Sequence, residues 1–480
     1  SNIAIDDYSP GSLELVCSGG STSYGACFNM QLSNGVANLT CQGSSACTGM
    51  DIAWIGTDSL DCNGYRACYS TDLGTIGHLD CTSDQSYSCA YMTVGEVTTM
   101  TSFQCVGEYS CYSSTFYNIA LATSYHCIGS AACNSASFFA TADSEVVVKD
   151  IECSGTSACG NANFDANGAR QLTCSGENAC DSASFTNLGN ATSPLAIFCT
   201  GDEACDDVSF GNLTGVGRTL MCDGEEACSN VVIDDYSTSL EVQCSGGSSS
   251  YGVCDNMQLS KGVANLTCLG SQACKGMDIA WIGSDKLDCT EYRSCQSTDI
   301  GTIGHLTCVT ESSYSCSFMQ VDAITAMTSF NCVGTYACYY SQFNNVALAT
   351  SYLCSGSSAC YSADIYATTD PDVVVTDIEC TGSAACYGAE FKANGARKLT
   401  CTGDQACNGA IFHNLGDPNL PLTITCNGDE ACDDASFGNL TGVGRTLTCN
   451  GEGACSNIAI DDYSPGSLEL VCSGGSTSYG

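Results

Sequence analysis

Cysteine and carboxylate are the two side-chain chemistries this chain carries in quantity. Its 480 residues include 41 Cys and 52 Asp plus Glu, against 12 Lys plus Arg and 4 His. Cysteine could ligate metal or form disulfides. Structural metal sites need Cys and His clustered at C-x2-C spacing, which is absent here. The cysteines fall instead into pairs with a nearly constant gap. Five residues separate Cys41/Cys47, Cys62/Cys68, Cys105/Cys111, Cys127/Cys133, Cys153/Cys159, Cys174/Cys180, Cys199/Cys205 and Cys222/Cys228. The same gap recurs in Cys268/Cys274, Cys289/Cys295, Cys332/Cys338, Cys354/Cys360, Cys380/Cys386, Cys401/Cys407, Cys426/Cys432 and Cys449/Cys455. Longer gaps occur in Cys17/Cys27 with Cys244/Cys254, and in Cys81/Cys89 with Cys308/Cys316; Cys472 stands alone. Between pairs the spacing varies. Constancy within a pair favours bridges that each close one corner of the chain over bridges between successive repeats. Closing a loop of about seven residues stabilises by about 2–2.5 kcal/mol on chain-entropy grounds. So many disulfides imply an oxidising, extracellular compartment.

The carboxylates also fall in register. Three residues after the first Cys of successive pairs stand Glu177, Asp202 and Glu225, and further along Asp404, Asp429 and Glu452. Glu203, Glu226, Asp206, Asp207, Asp433 and Asp434 lie close by. If these segments stack about 4.8 Å apart, like charges face each other. Two charges near 5 Å repel by about 1 kcal/mol in water and several-fold more at an effective dielectric near 20. A bridging Ca²⁺ held by carboxylate and carbonyl oxygens would relieve such a column. A solvated acidic face with diffuse counterions is the alternative, and no dense D-x-D-x-D loop is present. The net charge of −40 excludes nucleic acid and anionic lipid as natural partners. No window of 18 consecutive apolar residues occurs, so no membrane-spanning helix is expected.

Nucleophilic catalysis finds little support. Of the histidines only His78 and His305 correspond between the halves of the chain; His126 aligns with Leu353 and His413 with Thr186. A triad needs a singular constellation, and none is visible. Pectinase-like enzymes use acidic clusters with Lys or Arg, but here the basic residues are few and read as surface groups. No enzyme is expected. Trp54 and Trp281, each within DIAWIG, could form a sugar platform, although packing is the expected role. Sequons at Asn38, Asn190, Asn212, Asn265 and Asn439 mark candidate N-glycosylation sites.

Repetition defines the elements that must carry these residues. Ser1 to Gly25 recurs unchanged as Ser456 to Gly480, and CFNMQLSNGVANLTC (Cys27 to Cys41) matches CDNMQLSKGVANLTC (Cys254 to Cys268). The chain therefore reads as superrepeats 1–228 and 229–455, then 456–480 as the start of another copy. It begins and ends inside the repeat, as a window on a longer tandem protein would. Each half holds about ten units averaging about 23 residues, the length a three-sided β-solenoid coil needs.

Columns within the unit specify that coil. Two residues before each first Cys stands an apolar residue, such as Leu39, Phe103, Tyr125, Leu172, Tyr352 or Leu399. In a strand it shares the inward face with the Cys. Gly commonly follows two residues after the Cys, and Ala commonly precedes the second Cys. Five residues past the second Cys comes another apolar residue, as in Phe164, Phe185 and Phe412. A turn follows, often with Asn, which tolerates left-handed backbone and can hydrogen-bond along a stack. A third short strand then leads back to the next unit. The expected fold is an all-β, disulfide-rich solenoid, right-handed by the crossover preference.

The C-x-G-x-x-A-C unit with its apolar column resembles the cysteine-rich tandem repeats of extracellular fibres on protist and algal surfaces, mastigoneme-like flagellar hairs among them. The resemblance covers nearly the whole chain and implies a cell-surface or flagellar appendage. The unit is also similar, locally, to insect antifreeze β-helices with T-C-x-x-x-x-x-C coils. Here, however, the residue before the first Cys runs Thr40, Asp61, Asp80, Gln104, His126, Glu152, so no flat ice-binding row emerges. The leading expectation is a structural shaft, some 20 coils spanning on the order of 100 Å, with itself, N-linked glycans and divalent cations as partners. An adhesive glycan- or ice-binding module is the alternative, ahead of a polysaccharide-acting enzyme.

Overall fold

In the computed structural model the described residues are 3–5, 13–19, 25–55, 59–100, 102–120, 122–141, 148–166, 168–189, 192–211, 213, 217–233, 240–248, 250–283, 286–368, 375–461 and 468–473. None of them is helical. The chain forms two compact units, Ser1–Glu241 and Val242–Gly480. Each is a β-solenoid of short parallel strands, with about 23 residues and one disulfide per coil.

In the first unit the cysteine-bearing strands pair in strict register. Phe103 lies beside Tyr125, Tyr125 beside Ile151, Ile151 beside Leu172 and Leu172 beside Ile197. Cys105, Cys127, Cys153, Cys174, Cys199 and Cys222 form the parallel column two residues on. A second sheet sets Phe138, Phe164, Phe185 and Phe210 side by side. The second unit repeats both patterns, with Cys332, Cys354, Cys380, Cys401, Cys426 and Cys449 in one sheet and Phe391, Phe412 and Phe437 in the other.

Alternation explains which side chains fill the core. Strand Gln171–Ser175 buries Leu172 and Cys174 while its other residues face outward. Phe rings of the second sheet stack, with centroids 4.7 Å apart for Phe138/Phe164 and 5.2 Å for both Phe164/Phe185 and Phe391/Phe412. Coil spacing matches ring thickness well enough that each phenyl packs on the next.

The third side departs from expectation. Outside the two sheets, the described residues contribute only isolated bridges such as Val36–Ile55 and Val263–Ile282. In several coils the second-sheet strand runs almost directly into the next cysteine strand, as Asp72–Ile76 does into His78–Thr82. The variable lengths here leave no common register for a third ladder.

The cysteine turn forms the remaining wall, and its backbone stacks as regularly as the strands. Residues four and eight past the first Cys take left-handed φ, as do Ser157 and Asn161 (both 55°), and Ser358 (54°) and Ser362 (49°). Their amides donate to the following coil: Ser157 to Glu177, Asn161 to Asp181, Ser358 to Ser383 and Ser362 to Tyr387. The amide of the second Cys behaves differently in the two units. From Val242 to Gly480 it too donates forward, as Cys360 does to Ala385 at 2.6 Å and Cys407 to Ala431 at 2.7 Å. In the first unit Cys47, Cys68, Cys89, Cys111, Cys133 and Cys159 donate backward, whereas Cys180 and Cys205 donate forward. No peptide bond among the described residues is cis. The Ala158 carbonyl therefore points on to the next coil while the Ala179 carbonyl points back to it, so two acceptors face each other.

Candidate functional site: the cysteine corner

Twenty disulfides, from Cys17–Cys27 to Cys449–Cys455, each join the two cysteines of one coil. Cα–Cα distances are 5.8 Å in Cys174–Cys180 and 6.0 Å in the longer Cys244–Cys254 turn, comfortable for a bridge. Alternation along a strand marked only the first Cys of a pair as inward, but the second is enclosed as well. Cys228, Cys295, Cys316, Cys338 and Cys432 lie in the turn rather than on a strand, yet each is fully buried. They bond, in that order, to Cys222, Cys289, Cys308, Cys332 and Cys426. The bridge itself draws the second sulfur under the corner, where strand periodicity has no say. Cys472 is free and exposed.

The sulfur pair closes the turn whose left-handed residues would otherwise be held by hydrogen bonds alone. Where the Gly of the motif is missing, a hydroxyl takes over. Ser83 Oγ accepts from the Gly64 amide at 3.2 Å, and Thr310 Oγ donates to the Thr290 carbonyl at 2.7 Å. Buried hydroxyls also cap second-Cys carbonyls: Thr71 on Cys47 at 2.8 Å and Thr298 on Cys274 at 2.7 Å.

The acidic column lies on this corner. Glu177, Asp202, Asp404, Asp429 and Glu452 are exposed and Glu225 is half-buried. Backbone donors answer part of the charge: Asp202 Oδ1 accepts from the Glu225 amide at 3.1 Å, and Asp429 Oδ1 from that of Glu452 at 3.2 Å. The carboxylates that converge among the described residues are Asp181, Asp206 and Asp207, with oxygens within 4.8 Å of one another. Burial, then the neighbouring Asp207, pushes the Asp206 carboxyl up to about 6. Asn230 donates to it at 3.2 Å. The second unit offers Asn408 for Asp181, and its Asp433 accepts from Asn457 at 3.3 Å.

Asn38 and Asn265 begin strands Asn38–Gln42 and Asn265–Leu269 and are half-buried, whereas Asn439 is exposed. Asn190 and Asn212 lie outside the described residues. Asn439 takes a left-handed φ of 55° and donates to Asn414 Oδ1 of the coil before at 2.9 Å, the axial Asn contact expected of the turns. Trp54 and Trp281 pack their indoles on Gly35 and Gly262, where a β-carbon would stand 2.7 and 2.6 Å from the ring. His78 and His305 are exposed. His126 meets Glu152 at 3.0 Å and His413 meets Glu390 at 3.3 Å.

Two features escaped the sequence. Arg218 and Arg445 are buried rather than on the surface, 1% and 2% exposed. Their Nη1 atoms donate to the Leu213 and Leu440 carbonyls at 2.8 and 3.0 Å. Burial lowers the pKa of the Arg218 guanidinium. The identical TGVGRTL segments around them were the available signal. The second feature is a pair of tyrosine ladders on the corner. Tyr87 stacks on Tyr109 with centroids 4.6 Å apart and planes 4° apart; Tyr314 stacks on Tyr336 at 4.6 Å and 7°; Tyr361 stacks on Tyr387 at 4.9 Å and 6°. Arg66 and Arg293 cover the ladders from the preceding coils, 5.6 Å from the Tyr87 ring centre and 5.5 Å from that of Tyr314.

Fold and corner together define a cysteine-rich β-solenoid braced by a disulfide in each coil. Among the described residues no helix is long and apolar enough to cross a membrane. Comparison with known proteins finds no matching family, no matching curated protein and no matching solved structure.

Proposed function

We propose that the chain is a structural protein, the shaft of an extracellular filament or of a mastigoneme-like cell-surface or flagellar appendage. The observation that carries this reading is the uniformity of the coil. Each unit repeats one register, one buried cysteine column and one bridged corner. Candidate catalytic groups, by contrast, change from half to half, as His126 does against Leu353. Strand ladders give stiffness and the corner bridges give durability in an oxidising compartment. Asn38, Asn265 and Asn439 would carry glycans on this shaft, and divalent cations would screen its charge. Stacked tyrosines turn their faces toward each other, which leaves few ring faces free for a sugar and weighs against the glycan-binding alternative. Electron microscopy of the native material tests the proposal. Filaments decorated by an antibody to this chain are expected; dispersed short particles that bind a soluble glycan would overturn it.

A further inference from the structure

We propose that the stacked tyrosines Tyr87/Tyr109 and Tyr314/Tyr336 are sites of oxidative cross-linking, forming dityrosine between adjacent coils. The bridges of this protein all close within a coil. Along the stack, neighbouring coils are held by hydrogen bonds and packing. The tyrosine ladders run in that unsecured direction.

The geometry is that of a coupling-ready pair. Both pairs have ring centres 4.6 Å apart and nearly parallel planes. All four side chains are half-buried, so a one-electron oxidant reaches them while the left-handed backbone holds their bases: φ is 66° at Tyr87, 53° at Tyr109, 65° at Tyr314 and 54° at Tyr336. The same pair is built twice, in corresponding coils of the two halves (CTSDQSYSC then CVGEYSC; CVTESSYSC then CVGTYAC). Neighbours differ, since Glu108 becomes Thr335, yet the stack is kept.

The co-reactant is a peroxide acting through a phenol-oxidising haem peroxidase. Each phenol gives up one electron and its hydroxyl proton, leaving a phenoxyl radical with spin on the ortho carbons. An ortho carbon of one ring bonds to an ortho carbon of the other. Each ring then returns its ortho hydrogen to its own oxygen and regains aromaticity. Two phenols and one peroxide thus give one biphenol and two waters. The inference stands on ring geometry and holds whether or not the chain forms filaments.

The test treats the full, disulfide-intact chain with haem peroxidase and hydrogen peroxide, then digests it for mass spectrometry. Expected are linked peptides joining Tyr87 to Tyr109 and Tyr314 to Tyr336, each lighter by two hydrogen atoms, in chains that remain monomeric, together with dityrosine fluorescence. Tyr109→Phe and Tyr336→Phe keep the ring stack and should each abolish the corresponding link alone. Coupling only between chains, links equally abundant in the reduced and unfolded chain, or no coupling would each overturn the proposal.

Discussion

Gly176 lies over Gly155 so closely that a β-carbon on it would stand 2.9 Å from the Gly155 carbonyl oxygen. Its φ of 122° is closed to other residues as well. The relation recurs in the second unit, where Gly403 would meet Gly382 at 2.6 Å. The Gly of the motif is thus the point at which one coil's corner seats on the last.

Gly176→Ala should therefore lose roughly 2–4 kcal/mol of local stability. Gly217 supplies the control. It has φ 63° with nothing within 4 Å of its missing β-carbon, so Gly217→Ala should lose only about 1–2 kcal/mol. Hydrogen exchange in strand Leu195–Thr200 reads the first; equal losses at both sites would show that the close seat is unimportant.

Replacing Cys174 and Cys180 together by Ala removes a bridge across a short turn. The expected loss is about 2–2.5 kcal/mol on chain-entropy grounds, plus a contribution from the emptied core. Exchange should quicken in the flanking coils and leave distant ones unchanged, because each coil contacts its neighbours alone. Collapse of protection throughout the unit would contradict this.

Asp206 should make stability fall as pH rises. Its folded-state pKa near 6 lies above the ordinary value of 3.8. Between those values the folded chain holds the proton more tightly than the unfolded chain does. The group's penalty is absent below about pH 4, grows as pH rises through 6, and is complete at neutral pH. Asp206→Asn should raise the melting temperature at pH 7 and leave it unchanged near pH 4. A variant with the parent's pH profile would refute the assignment.

Arg218→Ala should cost roughly 2–4 kcal/mol, since it empties a buried site and strips the Leu213 carbonyl of its donor. Arg170→Ala, at an exposed position, should change stability by less than about 0.5 kcal/mol. Denaturant titration of the two variants separates them.

The net charge of −40 predicts cation-dependent association. At about 4.8 Å per coil, each coil of about 23 residues carries about two net negative charges, a linear density that approaches that of duplex DNA. Calcium at millimolar concentration should raise light scattering, and an equal ionic strength of sodium should not. No response to calcium would count against the filament proposal.

How much of this could be read from sequence follows from what repeats. The apolar and cysteine columns were legible because one face of a strand is sampled every second residue, so Leu172 and Cys174 declare their side. The corner bridges were legible from a constant gap. Peptide orientation was not, because Cys159 and Cys180 sit in nearly identical motifs yet their amides point opposite ways. Arg218 was not, because its burial depends on a loop carbonyl rather than on periodicity. Tyr87 and Tyr109 share a column, each two residues before its second Cys, but Tyr fills that column in only a few coils, so the stack did not stand out. Asp181 joined the acidic trio across coils rather than along them.

The opposed carbonyls of Ala158 and Ala179 make one interface unlike the rest. Where Cys47 to Cys159 donate backward and Cys180 and Cys205 forward, the second-Cys amide sits between successive corners as mortar; at this seam that amide is missing, and the Ser157 and Asn161 amides span it instead. With one corner hydrogen bond fewer than the seams that Cys133 and Cys205 span, this one is the weaker joint of those three, and tension along the first unit should strain it before them.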